Sequence, residues 1–116
     1  MSNTNAAAAP LASVGKIGLH QAAGVIAKLQ FVYLDGATWH HLDGTDQITV
    51  GSTVTVDPGA YGVPEGALFS PYAFVVWGMD HQSQETFTYQ HSNPLTATFT
   101  LSGTTLANSL VLDGIA

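Results

Sequence analysis

The chain has 116 residues, 46 % of them apolar, with two lysines, no arginine, eight acidic residues, no cysteine and a formal net charge of −6. That length makes one domain whose core needs no cross-links, and the missing cysteines exclude disulfides, thiolate catalysis and cysteine zinc sites. The charge excludes a cationic track for nucleic acid and a polybasic attraction to anionic lipid.

In chain order, residues 1–13 carry the alanines Ala6 to Ala9 but neither a positive n-region nor an apolar run of signal-peptide length. They read as a flexible tail ahead of a single domain over 14–116. No general secretory signal is expected, so any extracellular location would need another route. No segment reaches the roughly 20 apolar residues of a membrane-spanning helix. A first strand is predicted over 15–20 and a turn over 21–24. The run 25–34 is apolar on both faces, with Leu29, Phe31 and Tyr33 on one side and Ile26, Val32 and Leu34 on the other, which marks a central strand.

Asp35-Gly36 is a hairpin signal leading to a strand over 37–42. Asp43-Gly44 repeats it ahead of strands over 47–50 and 53–57. Pro58, Gly59, Gly62, Pro64 and Gly66 forbid a regular strand and predict a loop crossing between sheets. The apolar run 71–79 predicts a buried strand with Trp77 in the core. A turn over 80–83 leads to a strand over 84–90, where Tyr89 also reads as core. The next strand shows the clearest period of two, with Leu95, Ala97, Phe99 and Leu101 against Thr96, Thr98 and Thr100. A last strand is predicted over 106–112. About eight short strands with regular turn signals define an all-β fold, an antiparallel two-sheet β-sandwich of jelly-roll-like form.

The candidate chemistry begins with His40 and His41 beside Asp43 and Asp46. Imidazole and carboxylate are transition-metal ligands, but neighbours in a strand point to opposite faces. A polar hairpin end therefore reads better than a metal site, and calcium would need more oxygen donors than Asp43 and Asp46 supply. Asp80, His81 and Ser83 contain the residue types of a hydrolytic triad, but adjacent turn residues do not place nucleophile, base and orienter in line. The chain also lacks a Gly-x-Ser-x-Gly elbow and a phosphate-binding glycine loop. No enzyme activity, metal or cofactor is expected, and His20 and His91 read as ordinary strand-end residues.

Aromatic side chains with polar tips suit sugar stacking or a lipid interface. Trp39 sits between two Asp-Gly turns and Tyr61 in the glycine- and proline-rich loop, so both are expected at the surface. Charged residues are only 9 % of the chain, against roughly 25 % in an average soluble protein. A surface that neutral suits contact with glycans, lipid headgroups or further copies of the chain. The expectation is a non-catalytic recognition module for a carbohydrate or a neutral membrane component. Trp39, His40, His41 and Asp43 would form one binding lobe and Asp80 and His81 another, with Tyr61 a further aromatic available for binding and a homo-oligomer as the expected assembly. The alternative is a structural, self-assembling subunit that uses its sheet edges and the N-terminal tail. A short, cysteine-free, acidic all-β chain also resembles, in architecture, small β-sandwich lectins and membrane-binding cytolysins. That resemblance is one of architecture only, and a cytolytic activity of this kind would require pore formation by oligomers.

Overall fold

The computed structural model describes residues 11–116, so most of the expected tail over 1–13 lies outside the described residues. Ala12 already accepts a hydrogen bond from the Thr88 amide at 2.9 Å. The chain folds into the two-sheet sandwich that its alternation predicts. The first sheet contains β1 (Ser13–Val14), β8 (Phe87–Tyr89), β6 (Leu68–Val75), β3 (Ala27–Asp35) and β4 (Thr38–Leu42) in that order. β7 (His81–Gln82) also pairs with β6. The second sheet runs β10 (Asn108–Ile115), β9 (Thr96–Gly103), β2 (Lys16–Gln21) and β5 (Thr53–Val56). Most pairings are antiparallel, but β1 pairs with β8 and β2 with β9 in parallel, so both sheets are mixed. The first strand crosses from one sheet to the other at Gly15, where a Cβ would collide with the Asn93 carbonyl oxygen.

Two of the ten strands, β1 and β7, have two residues each. That is too short to leave a periodicity, so neither is among the predicted strands, and β7 falls within the expected turn over 80–83. The core forms where the inward positions of both sheets meet. Phe31, Phe69 and Phe87 from the first sheet and Phe99 from the second are all buried. Their rings follow one another at centroid distances of 6.2, 5.9 and 6.1 Å, tilted or edge to face, the arrangement aromatic quadrupoles favour. Ile17, Leu19, Leu29 and Leu101 fill the space around them.

Asp35-Gly36 makes the expected hairpin, with Gly36 at φ 61° and Asp35 opposite Thr38. The loop after β5 crosses between the sheets as expected, through a 3-10 turn over Pro58–Tyr61 capped by Asp57. Three expectations are corrected. The segment 47–50 is not a strand, because only Ile48 pairs, as a single bridge to Ala27. β6 runs through Pro71 rather than starting there. Its outer partner changes at that point, with Leu68 and Phe69 against β8 but Tyr72 and Ala73 against β7, so the missing proline N–H falls in a gap of the ladder. β6 then stops at Val75, so Trp77 lies in a turn and is 93 % exposed instead of buried in the core. Tyr89, by contrast, is core as expected.

Candidate functional site

One end of the sandwich gathers four connections: 22–26 after β2, 49–52 before β5, 76–80 after β6 and 104–107 between β9 and β10. The buried Gln21 side chain ties the first two. Its Nε2 donates to the carbonyls of Val25 at 2.6 Å and Ile48 at 3.4 Å, and its Oε1 accepts from the Ala23 amide at 2.7 Å. Backbone bonds join the rest: Val76 N–H to the Ile26 carbonyl at 2.9 Å, Gly24 N–H to Gly103 at 2.9 Å and Met79 N–H to Thr105 at 3.0 Å. Asn108 Nδ2 donates to the carbonyls of Met79 and Thr104 at 3.2 and 3.0 Å. A Cβ on Gly78 would collide with the Thr105 carbonyl oxygen, so the two loops touch backbone to backbone.

This rigid tip presents apolar side chains to solvent. Trp77, Leu106 (74 % exposed), Met79, Val50 and Ile26 account for half of the large exposed hydrophobics among the described residues. Trp77 also holds φ at 64°, the one non-glycine residue with positive φ among those described, a conformation that is an outlier for a bulky side chain. The segments 22–26, 49–52, 76–79 and 104–107 contain no charged residue and no histidine. The first carboxylate, Asp80, is held back by the Tyr72 hydroxyl on Oδ2 and the Val75 amide on Oδ1, both at 2.8 Å.

The seven residues singled out in the sequence do not form one site. Trp39 and His41 lie on the outer face of the first sheet, and His40 on the opposite face, stacked on Tyr33 at 5.0 Å. The opposed orientation of the two histidines follows the strand alternation. His41 packs edge-on against Tyr72 at 4.3 Å, and Tyr72 reaches Asp80, so His41, Tyr72 and Asp80 are linked across the sheet. Asp43 contributes its carbonyl to Gln30 Nε2 at 3.0 Å. Tyr61 is half-buried, its ring 5.9 Å from that of Phe31. His81 sits on β7, beside a cleft of ≈ 380 Å³ that it shares with Glu85 and with Leu110 and Leu112 of β10. Ser83 Oγ bonds Glu85 Oε1 at 2.7 Å and not His81, so the triad types stay apart. Among the described residues no three histidine, aspartate or glutamate side chains converge as a metal site.

At the other end of the molecule, His91 is more than a strand-end residue. Asp57 Oδ1 accepts from the Tyr89 hydroxyl at 2.5 Å and the Gly59 amide at 2.9 Å, while Oδ2 lies 3.1 Å from His91 Nδ1. Burial disfavours the Asp57 charge, but the Tyr89, Gly59 and His91 contacts outweigh it and lower the carboxyl below its ordinary value. Burial, reinforced by Asp57, pushes the Tyr89 hydroxyl up to about 12. This cluster latches the crossing loop onto β8.

Sequence reasoning missed Trp77, Met79 and Leu106. The available signal was Gly78 and Asp80 closing the apolar run, a turn chemistry that ends a strand.

No family model and no curated protein matches the chain. Among solved structures the same fold occurs within larger proteins. A Gram-negative toxin shares 15 % identity over 88 % of this chain and 23 % of that one, at TM-score 0.52. Pneumolysin shares 13 % over 85 % and 23 %, at 0.50, and listeriolysin O 14 % over 85 % and 22 %, also at 0.50. The chain thus spans less than a quarter of each of these structures, and the likeness is one of fold.

Proposed function

We propose that the chain is a non-catalytic membrane-recognition module that seats its loop tip on a neutral bilayer. The observation that carries this reading is Trp77, 93 % exposed on a hydrogen-bonded tip beside Leu106 and Met79. Indole is the side chain that partitions best to the membrane interface, with its ring in apolar surroundings and its N–H in water. The uncharged tip fits zwitterionic headgroups, and the net charge of −6 disfavours anionic ones.

The test is flotation with phosphatidylcholine vesicles, with and without sterol. The wild type is expected to float, and Trp77→Ala to lose at least about tenfold in partitioning, since a buried large apolar side chain is worth roughly 2 kcal/mol. In a Trp39→Phe background Trp77 is the sole indole, and its emission should shift to the blue on binding. Full partitioning by Trp77→Ala overturns the proposal.

A second reading, self-assembly, rests on β10. It is a sheet edge with Val111 and Ile115 exposed, the kind of edge that pairs with further copies. Light scattering over a concentration series checks it, and a mass that stays at one chain throughout sinks it.

A further inference from the structure

The outer face of the first sheet carries a second, separate surface. Opposed residues in an antiparallel pair share a face, and the register puts Trp39 opposite Leu34, His41 opposite Val32, and Gln30 opposite Tyr72 on this one. The polar groups are held in fixed orientations. Gln30 Nε2 donates to the Asp43 carbonyl, which leaves Gln30 Oε1 facing His41 Nε2 at 2.6 Å. That oxygen only accepts, so His41 Nε2 carries the proton, and Nδ1 of the neutral ring is left as an acceptor. Nδ1 makes no hydrogen bond among the described residues, and His41 is exposed. Tyr72 is fixed from both sides, by its hydroxyl on Asp80 and by its ring against His41. Trp39, half-exposed, stands two residues along β4 from His41, roughly 7 Å away.

We propose that this face binds a neutral saccharide. The Trp39 indole stacks on the apolar face of a pyranose, and His41 Nδ1 accepts a proton from one of its hydroxyls. The chemistry selects this class. The lining residues Trp39, His41, Gln30, Val32 and Tyr72 carry no fixed charge, and Asp80 is already satisfied. Lys28, the one cation on this face among the described residues, lies four residues along β3 from Val32, the partner of His41, roughly 14 Å. A charged ligand stacked on Trp39 therefore finds no counter-ion beside it. A purely apolar ligand would cover the His41 acceptor without giving it a donor, which costs free energy. A polyol with one apolar face meets both conditions. The surface is independent of the tip, since Trp39 lies about seven residues along the sheet from the Val75 end of β6, roughly 24 Å.

The experiment is saturation-transfer NMR on the full chain with the methyl glycosides of glucose, galactose, mannose and N-acetylglucosamine. At least one glycoside is expected to bind the wild type. Trp39→Ala should weaken it about tenfold or more, and His41→Phe, which keeps a ring against Tyr72 but removes Nδ1, about fivefold. Trp77→Ala should bind sugar as the wild type does while losing vesicles, so the two surfaces fail separately. The proposal is overturned if none of the four glycosides binds, or if binding survives Trp39→Ala or His41→Phe in a protein that keeps its circular dichroism and unfolding midpoint.

Discussion

A tryptophan in the left-handed region costs roughly 1–2 kcal/mol relative to ordinary backbone, and Trp77 recovers little of this through contacts, being almost wholly in solvent. Glycine adopts the same φ without a Cβ clash but adds entropy to the unfolded chain. Trp77→Gly is therefore expected to raise stability by up to about 1 kcal/mol while abolishing vesicle binding. A urea midpoint that moves down instead would refute the strain argument. The Asp57 latch makes a different prediction. A carboxyl lowered by folding lends stability that is whole above its unfolded value, near 3.8, and is lost as pH falls through the lower folded value. The two tyrosines act with the opposite sense. Burial, followed by their hydrogen-bonded carboxylates, pushes Tyr72 and Tyr89 from 10.0 up to about 12. Their contribution is whole below pH 10 and disappears between about 10 and 12. Melting temperature against pH should then fall at both extremes. Asp57→Asn should flatten the acid limb and Tyr89→Phe should shrink the alkaline one, and an acid limb untouched by Asp57→Asn would remove the latch from the explanation.

Among the elements, the strands most legible in the sequence are those with one wet face. β9 alternates threonine with Ala97, Phe99 and Leu101, and its burial alternates in step. Phe87 and Tyr89 of β8 behave in the same way. Continuous apolar runs were harder to end. Nothing periodic separates Val75, the last residue of β6, from Val76 and Trp77 beyond it, and only the turn chemistry at Gly78 does so. Gln21 was equally hidden. A glutamine at the start of a turn reads as solvent-exposed, yet it is fully buried and hydrogen-bonded to two of the loops that make the tip. Gln21→Leu conserves the bulk but leaves the Val25 carbonyl and the Ala23 amide without partners. Chemical denaturation should show a loss of roughly 2–3 kcal/mol. A loss below about 0.5 kcal/mol would mean that the loops hold together without it.

For the whole molecule, composition gave the clearest guide to the surface: few charges, a negative balance, and aromatic residues left to make contacts. A tip free of charge should bind phosphatidylcholine vesicles almost equally at low and high salt, because no ion pair is there to be screened. Adding anionic lipid should weaken binding, most strongly at low ionic strength. Binding that grows with anionic lipid would contradict this. What composition could not provide was placement. Trp39 reads as a surface residue and Trp77 as a core one, and it is the end of β6 at Val75 that moves Trp77 out of the core and onto the tip. The pairing register governs how the chain is assembled in time. β2 finds its parallel neighbour β9 roughly 80 residues later in the sequence, and on a ribosome adding about 5–20 residues per second the early strand waits on the order of 4–16 seconds for that partner. Until then the Lys16–Gln21 segment has only β5 beside it, so one edge of the strand, with its low charge and apolar Ile17 and Leu19, stays open in the nascent chain and is a surface chaperones can capture.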